Sequence, residues 1–592
     1  MLQVERHTKL PYLLDLYDSP SVTRRRRYWR YVHRWRRRLY SLWRQDCPAE
    51  SDRAEIARGV DDLLSITLLL DYLRRSGQAE LPSVRELHQH LSSLTPATIA
   101  TAIEATVEDP FVSAVLAPQT FADTLSIPHR VVADNWQRRL GDATWMLYRD
   151  KQIPLSFFGD FHQACMGNPL NTESPDAEGE GKRRERGMFY TPAPIVDYLV
   201  ATTLSPLLSD QHPEDVLQLR ILDPSCGCGA FLIACFRYVS TWLEDHPQCD
   251  SETACRLSLN VIEQVLHGRD IDPDAIKWTI RLQMLAAWEM LKRHADFQKS
   301  ESTFTVPSLQ GTICCKSFLD LATFHGPNSL ASISYDAILG GPPFVRLEQL
   351  HDTQPEQLPQ YRRRYLSARQ GQYDLYMLFI EQALDLLNEG GRIAFSLANS
   401  FLRTDSGRIV RGYIAANACV EEIVEFEDPK TYDDAATQIA LLRLRKVRPR
   451  CDGRYSVIYG RGRLRHKLEQ LDSGQLGSDI STTLLPPSAT ASSRWNLASS
   501  EDDSWLTTVR QAGIPLGRLV TIESGLSTGI DQLLLLKKMG RCVGGTILAN
   551  SRDDDDYAIR IEEAATRSVV RGHQLKGYQP PKLRHVHPFP YE

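Results

Sequence analysis

Apolar positions follow different spacings in two large parts of the chain. Up to about residue 165 they recur at intervals of three to four, as in RAEIARGVDDLLSITLLLDYLRRSG and NWQRRLGDATWMLYRDKQ. From residue 188 to about 447, short apolar runs alternate with helical segments. The first pattern predicts an all-helical region, and the second predicts an α/β domain on a mainly parallel sheet.

The expected strands of the α/β domain are QLRILDPS, VLHGRDID, YDAILGG, GGRIAFSLA, CVEEIVEFED and QIALLRLRK. Two stretches lack clear periodicity: a polar, glycine-rich one before this domain and a Ser-, Pro- and Thr-rich one after it. The predicted segments are a helical domain (1–165), a flexible linker (166–187), the α/β domain (188–449), an irregular connector (450–514) and a further domain (515–592).

The composition is typical of a soluble globular protein, with 592 residues, 42% hydrophobic and 24% charged, and a net charge of −5. No apolar run reaches the roughly 18–20 residues of a membrane helix, and MLQVERHTKL lacks the apolar core of a signal peptide. The twelve cysteines have no regular spacing, which favours a reduced interior over a disulfide framework. We therefore expect a cytoplasmic protein.

Positive charge is concentrated near the N-terminus. Residues 24–44, RRRRYWRYVHRWRRRLYSLWR, hold ten arginines and no acid. Aromatic and aliphatic residues recur there at helical spacing, namely Tyr28, Tyr31, Val32, Trp35, Leu39 and Leu42. Two interpretations stay open: a docked helix with solvated arginines, or a helix whose arginines contact phosphates. The residues first considered for backbone contact are Arg24, Arg25, Arg26 and Arg27.

A glycine turn follows the first expected strand. In RILDPSCGCGAFLIACF the strand ends at Asp223-Pro224, and Gly227 and Gly229 precede a helix. Small residues there let a ligand approach the helix N-terminus, although a tight turn alone explains them equally well. The dinucleotide pattern G-x-G-x-x-G is incomplete, because Leu232 stands at its third glycine.

The next strand ends in HGRDIDPDAI. Asp270 is placed to accept hydrogen bonds from two ribose hydroxyls, whereas Asp272 and Pro273 are the expected cap and first-turn proline of the following helix. Cys226-x-Cys228 has no CxxC partner and no histidine at ligand spacing, so we predict no metal site.

A third strand stops abruptly at Gly341-Pro342-Pro343-Phe344. Two prolines cannot donate to a sheet ladder, so the strand must end there, with an aromatic ring on a stiff turn.

Six motifs occur in one order along the chain: GMFYTPAPIVDYLV, DPSCGCGAFL, GRDIDPDAI, GGPPFVR, GQYDLYMLFIEQALDLLNEGGRIAFSLANSFL and TYDDAATQIALLRL. Together they closely resemble the large DNA adenine-N6 methyltransferases of restriction-modification and phage-exclusion systems (type IIG-like, BREX-like). The resemblance is strong over residues 160–447 and looser over 50–165 and 515–592. It implies a Rossmann-like seven-stranded sheet that binds S-adenosylmethionine, preceded by a helical domain and followed by a target-recognition domain.

The resemblance also implies roles for individual residues. Tyr190, Thr191 and Pro192 would border the methionine end of the cofactor. Its amino-acid moiety would be held by Asp223, Pro224, Gly227 and Gly229, and its ribose by Asp270. Phe344 and Tyr432 would stack on the two faces of a flipped-out adenine, because a base inside a duplex is unreachable. In the family, an Asn side chain and the carbonyl of the first proline accept the two N–H bonds of the adenine amine.

The sequence departs from this family pattern at two positions. Gly341 stands where the family has Asn, Asp or Ser, so one acceptor is missing. Such a loss typically costs about 2.7–4 kcal/mol of transition-state stabilisation. Lys316 stands where an acid usually accepts from the cofactor's adenine amine, and neighbouring Ser317 is the candidate substitute.

Three functions remain in view at this point. The first is an S-adenosylmethionine-dependent DNA adenine methyltransferase acting on double-stranded DNA. The second is the same scaffold serving as a weak or inactive DNA-recognition subunit of a defence complex. The third, an enzyme acting on small molecules, is disfavoured by the proline-proline-aromatic turn. Residues 515–592 resemble only the opening of a recognition domain, so another polypeptide or an extension is expected to complete it. No D…E-x-K nuclease constellation is evident.

Overall fold

The structure of the protein is a computed structural model. The residues that it describes are 22–47, 52–77, 95–104, 109–116, 127–128, 131–132, 136–148, 153–166, 170, 191–294, 304–320, 334–369, 371–426, 438–447, 453–458, 463–485, 495, 508–509, 511–514, 518–521, 536–542, 544–550, 558–569 and 585–588. The chain divides into two compact units, residues 1–500 and 501–592.

The N-terminal part of the first unit is helical, as its apolar spacing predicts. Its helices are α1 (Val22–Asp46), α2 (Arg53–Arg75), α3 (Pro96–Glu104), α4 (Pro110–Val115), α5 (Trp136–Leu147) and α6 (Ser156–Met166). The arginine-rich helix α1 packs as a docked helix, since Tyr28, Val32, Trp35 and Leu39 are buried and Trp43 extends the same face. Arginines on the opposite face are exposed.

A nine-stranded mixed sheet forms the centre of the first unit. Its strands are β1 (Ile221–Asp223), β2 (Leu266–Asp270), β3 (Ile313–Cys315), β4 (Tyr335–Gly340), β5 (Leu387–Ala398), β6 (Cys419–Phe426), β7 (Ile439–Arg445), β8 (Gly453–Ile458) and β9 (Ile480–Leu485). The order across the sheet is β3-β2-β1-β4-β5-β7-β6-β8-β9. The five strands from β3 to β5 are mutually parallel, whereas β7 runs antiparallel to both β5 and β6. The six strands expected from apolar runs are confirmed.

Helices cover both faces of this sheet. They are α7 (Ala193–Leu208), α8 (Ala230–Glu244), α9 (Ser251–Asn260), α10 (Pro273–Arg293), α11 (Leu347–Thr353), α12 (Leu358–Arg364), α13 (Leu375–Leu386), α14 (Arg408–Asn417) and α15 (Leu464–Ser473). One core cluster joins α7, α8 and α10 to the N-terminal helices, and the other joins α13 and α14 to the opposite face. The architecture is therefore α/β, with a largely parallel sheet between helical layers.

The stretch expected to be irregular, 450–514, contains regular structure. Strands β8 and β9 and helix α15 fall within it, so the sheet has nine strands where seven were expected. The segment RYSVI, which lies in β8, pairs in parallel with β6. Polar residues interrupt its apolar positions, so the sequence pattern did not indicate a strand there. Trp495 is also buried there, and its backbone N–H donates to the Leu402 carbonyl (2.9 Å).

The second unit contains an antiparallel sheet. Its strands are β10 (Leu536–Cys542), β11 (Thr546–Asn550), β12 (Ala558–Glu562), β13 (Thr566–Val569) and β14 (His585–Pro588). They lie in the order β12-β11-β10-β14-β13, and a small core centres on Leu536, Ile547, Ala549 and Val586. Within the described residues, β12 and β13 are the edge strands of this sheet.

Two further features concern the chain as a whole. None of the described helices is long and apolar enough to cross a membrane. Cys419 is disulfide-bonded, whereas Cys226 and Cys228 are not.

Candidate cofactor and base-binding site

The candidate site lies where the strand order reverses. The chain moves outward from β1 through β2 to β3, then returns to place β4 on the other side of β1. In open α/β sheets such a switch point leaves a crevice at the carboxyl ends of the strands. Asp223, Asp270 and Gly340 end β1, β2 and β4, so the sheet brings together residues far apart in sequence.

The glycine turn opens helix α8. Gly227 and Gly229 have positive φ angles of 52° and 83°, which side-chain-bearing residues rarely adopt. The Thr279 hydroxyl on α10 donates to the Gly227 carbonyl (2.6 Å), and a Cβ on Gly229 would lie 3.1 Å from Thr279 Cγ2. A Cβ on Gly227 would instead meet no atom within 4 Å. Gly229 therefore serves packing, while Gly227 faces open space at the crevice.

Asp270 joins the glycine turn to strand β2. Its Oδ2 accepts from the Gly227 N–H (2.8 Å), and its Oδ1 accepts from the Asp272 N–H (2.9 Å). Burial raises the pKa of the Asp270 carboxyl, although these backbone donors oppose that shift. Each carboxylate oxygen keeps further lone pairs for a ligand. Asp272 caps α10 by accepting from the Asp274 N–H (3.0 Å), which confirms its expected role.

Ile271, between these two acids, was not singled out from the sequence. This residue is 66% exposed, which is uncommon for a branched apolar residue beside a buried strand. An exposed apolar side chain next to Asp270 suits the flat face of a base. The sequence signal is the D-I-D pattern, in which an apolar residue interrupts two acids at a strand end.

Asp223 is buried at the floor of the crevice. Its Oδ1 accepts from the Ser225 N–H (3.1 Å), and burial raises the pKa of its carboxyl well above the usual range, reinforced by the nearby Asp270. A Cβ on Gly340 would lie only 2.7 Å from Asp223 Oδ1 and 3.2 Å from Pro224 Cδ. The glycine that ends β4 is thus required by the close approach of the Asp223-Pro224 turn.

The proline turn directly follows β4. The Pro343 carbonyl accepts from the Val345 N–H (3.2 Å). No donor among the described residues reaches the carbonyl of Pro342, the group expected to bind an amine. The half-buried Phe344 ring meets the Tyr376 ring edge-on, with centroids 6.3 Å apart and an interplanar angle of 87°. An edge-on neighbour fixes an aromatic ring without covering its whole face.

Gly341 adjoins the start of α7. A Cβ at this position would lie 2.9 Å from Thr191 Oγ1, and Thr191 is itself buried. The φ of Gly341 is outside the left-handed region, so the backbone accepts other residues. Thr191 is therefore next to the proline turn. Pro192 caps α7, and its carbonyl accepts from the Ile195 and Val196 N–H groups.

A buried polar network behind Phe344 was also missed in the sequence. The Tyr376 hydroxyl is 2.8 Å from Ser400 Oγ and accepts from the Phe401 N–H (3.2 Å), while Ser400 donates to Asp374 Oδ2 (3.2 Å). Burial raises the pKa of both the Asp374 carboxyl and the Tyr376 hydroxyl. This network holds the Tyr376 ring, and through it the orientation of Phe344.

Other expected site residues are placed as follows. Ser317 is half-buried after β3, where its Oγ accepts from the Leu319 N–H (3.2 Å), and Lys316 is exposed. Tyr190 and Tyr432 lie outside the described residues. Among the residues that the structure describes, no three His, Cys, Asp or Glu side chains are grouped to hold a metal ion.

On α1, Arg24 and Arg27 are exposed and Arg25 is half-buried, while the side chain of Arg26 is not described. Arg36 differs from the others, because it is buried and forms a bidentate pair with Asp61 at 2.7 Å through each nitrogen. This arginine serves packing rather than the surface.

Fold and site together define an α/β protein with a ligand crevice at the switch point and an aromatic turn beside it. Residues 264–432 match the family model described as Eco57I restriction-modification methylase. Over these residues the chain is similar to adenine-specific DNA methyltransferases of restriction-modification and PglX type.

Three curated relatives illustrate the similarity. The Type II restriction enzyme and methyltransferase RM.Eco57I of Escherichia coli is 26% identical over 44% of this chain and 28% of its own length. The Type II methyltransferase M.BanIII of Aneurinibacillus aneurinilyticus is 24% identical over 60% of this chain and 58% of its own. The adenine-specific methyltransferase PglX of Streptomyces coelicolor is 23% identical over 50% of this chain and 26% of its own. The chain thus spans between about a quarter and three-fifths of these relatives.

Proposed function

We propose that this chain is a DNA adenine-N6 methyltransferase that uses S-adenosylmethionine and acts on a flipped adenine in duplex DNA. The observation that carries the proposal is the convergence of Asp270, the glycine turn and the Pro-Pro-Phe turn at one switch point. A cofactor crevice beside an aromatic clamp suits methyl transfer to a base. The match of residues 264–432 to the family model and the relatives' names support the same class.

The residues at the crevice fit a nucleoside cofactor. Gly227 leaves space at the mouth of α8, Asp270 offers acceptor lone pairs to ribose hydroxyls, and exposed Ile271 offers an apolar surface to a base. Ser317 Oγ lies after β3, where an acceptor for an adenine amine is expected. When bound, S-adenosylmethionine would supply a sulfonium methyl group for transfer to the amine nitrogen of the adenine.

The protein's task on the base side is orientation. Phe344 provides a stacking face, with Tyr432 as the proposed partner on the other face of the adenine. The Pro342 carbonyl accepts one amine N–H and thereby aims the nitrogen, which is an alignment effect rather than acid–base chemistry. Gly341 supplies no second acceptor, so we expect slow transfer.

The second candidate is a DNA-recognition subunit of a defence complex that retains the scaffold with weak or absent methylation. Gly341 favours it, because the residue leaves one amine hydrogen without a side-chain acceptor. The antiparallel sheet of the second unit is its proposed recognition element, and an added chain would pair with edge strand β12 or β13.

Two measurements separate the candidates. Calorimetry with S-adenosylmethionine tests the crevice, and tritiated methyl transfer to mixed-sequence duplex DNA tests the reaction. Cofactor binding with measurable transfer supports the enzyme. Duplex binding without cofactor binding would instead favour the recognition subunit, and failure of both would remove the proposal.

A further inference from the structure

A 30-residue excursion, residues 345–374, separates the Pro-Pro-Phe turn from helix α13. Its two ends are joined by backbone hydrogen bonds from the Leu347 N–H to the Tyr373 carbonyl (3.1 Å) and from the Leu375 N–H to the Val345 carbonyl (2.8 Å). Arg346 and Asp374 form a β-bridge at the same place. The excursion is therefore a closed loop whose base adjoins Phe344.

The far part of the excursion is anchored to α13 by buried polar groups. Glu381 is 3% exposed and accepts from the Leu366 N–H (2.8 Å) and the Ser367 N–H (2.6 Å). The Tyr365 hydroxyl donates to buried Gln382 Oε1 (3.0 Å). A buried carboxylate that holds two backbone N–H groups fixes the position of that loop. The exposed side chains of the loop therefore have a fixed position relative to α13 and the Pro-Pro-Phe turn.

The loop presents positive charge. Arg362, Arg363 and Arg369 are exposed, and residues 357–373 contain no acid. Arg364 is committed elsewhere, to Asp385 on α13 at 3.0 Å. The acids of the excursion are Glu348, Asp352 and Glu356 in its first half and Asp374 at its closing end. The charged side chains exposed between residues 357 and 373 are therefore all basic, and Arg362, Arg363 and Arg369 define the basic surface of the loop.

We infer that this surface binds the sugar-phosphate backbone of duplex DNA next to the target base. The inference rests on the proposed function, which places a base against Phe344 at the base of the same loop. Guanidinium groups pair well with phosphates, and clustered arginines without base-reading geometry supply position rather than sequence information. The anchored loop then fixes the DNA backbone at a set distance from the turn.

The test compares a triple variant, Arg362→Ala/Arg363→Ala/Arg369→Ala, with a matched triple on other surfaces, Arg138→Ala/Arg256→Ala/Arg293→Ala. Arg138 lies on α5, Arg256 on α9 and Arg293 at the end of α10, and each is at least half exposed. Duplex affinity is measured by fluorescence anisotropy over about 50–200 mM salt on two unrelated sequences. Cofactor affinity and melting temperature report on folding.

Each lost phosphate contact should make the slope of log affinity against log salt shallower by about 0.9. The slope of the Arg362→Ala/Arg363→Ala/Arg369→Ala variant should therefore be shallower by about 2 to 3 than that of the unmodified chain. Both sequences should weaken alike, with cofactor affinity unchanged. The Arg→Lys version of the same triple should keep the slope, because it keeps the charge. The matched triple should behave like the unmodified chain.

If the loop triple variant binds duplex DNA with the same affinity and the same salt dependence as the matched triple variant, the inference is overturned while the proposed function stays intact. Weakening restricted to one of the two sequences would also overturn it, because it would indicate base contacts. An unmodified chain that binds no duplex at any salt concentration would instead remove the proposed function, and this surface with it.

Discussion

Thr191 Oγ1 lies 2.9 Å from the position that a Cβ would take on Gly341. The two residues are 150 positions apart in sequence, yet α7 and β4 bring them together at the proline turn. The space that a side chain at 341 would enter is thus bordered by a hydroxyl rather than by backbone. Because the φ of Gly341 is not left-handed, the obstacle to a larger residue is one rotatable side chain.

Gly341→Asn should raise methyl transfer at least about tenfold, near the lower end of what one added hydrogen bond supplies in a transition state. Thr191 must turn its hydroxyl away, and among the described residues that hydroxyl has no hydrogen-bond partner to lose. The measurement is tritiated methyl transfer to mixed-sequence duplex DNA with saturating S-adenosylmethionine. Thr191→Ala combined with Gly341→Asn should ease any residual crowding.

The control is Gly341→Ala, which adds a Cβ in the same place without an acceptor and should give no gain. A silent Gly341→Asn variant that still binds the cofactor would shift the defect to base flipping or DNA recognition. Robust methylation by the unmodified chain would refute the argument about this position.

Phe344→Ala should weaken capture of a flipped base by about 5- to 150-fold, since one base–aromatic stack contributes about 1–3 kcal/mol. The Tyr376 ring would lose its edge-on partner as well. The readout is the fluorescence of 2-aminopurine at the target position, which rises when the base leaves the stack. Phe344→Tyr keeps the stacking face and should retain most of the signal. Equal signals from the Ala and Tyr variants would argue against a stacking role.

The strands and helix ends that the sequence predicts correctly are those marked by a local sequence pattern. The strand ending at Asp270 follows an apolar run, and Asp272 followed by proline is a local capping pattern. β8 was missed because Arg454, Tyr455 and Ser456 interrupt its apolar positions, and its strand character depends on pairing with β6. Local propensity is a weak guide where tertiary pairing decides the outcome.

In the candidate site, too, features with a local sequence pattern were predictable, and contacts between distant segments were not. The Pro-Pro-Phe turn and the glycine turn were recognisable from their spacing. The closeness of Thr191 to Gly341 and the hydrogen bonds that link Ser400 to Tyr376 were not, because both join distant segments and leave no periodic trace. Ile271 becomes conspicuous only when its exposure is known.

Replacing Arg24 to Arg27 with Ala should weaken duplex binding similarly across sequences and flatten its salt dependence. Arg24 and Arg27 are exposed on α1, which suits contact with phosphates, and the change leaves the buried residues Val32 and Leu39 of the helix in place. The slope of log affinity against log salt is the measurement. A slope equal to that of the unmodified chain would return α1 to a purely packing role.

Asp270→Asn should weaken S-adenosylmethionine binding by about 10- to 150-fold. The amide replaces one carboxylate oxygen with a donor that opposes either the Gly227 or the Asp272 N–H. Hydrogen bonds to a charged acceptor contribute about 1.5–3 kcal/mol each, which sets this range. Calorimetry at neutral pH measures the change.

The pH dependence of the same binding follows from the raised pKa of Asp270. Only the carboxylate accepts from both backbone N–H groups and from ribose hydroxyls, so binding is strongest at high pH and falls as the acid protonates. Because burial raises this pKa, the loss should begin at a higher pH than for an ordinary aspartate, whose pKa is about 3.9. Titrating cofactor affinity to progressively lower pH should show the decline in the unmodified chain and a flatter profile in Asp270→Asn. An identical decline in both would assign the titration to another group, with the neighbouring Asp223 as the first to examine.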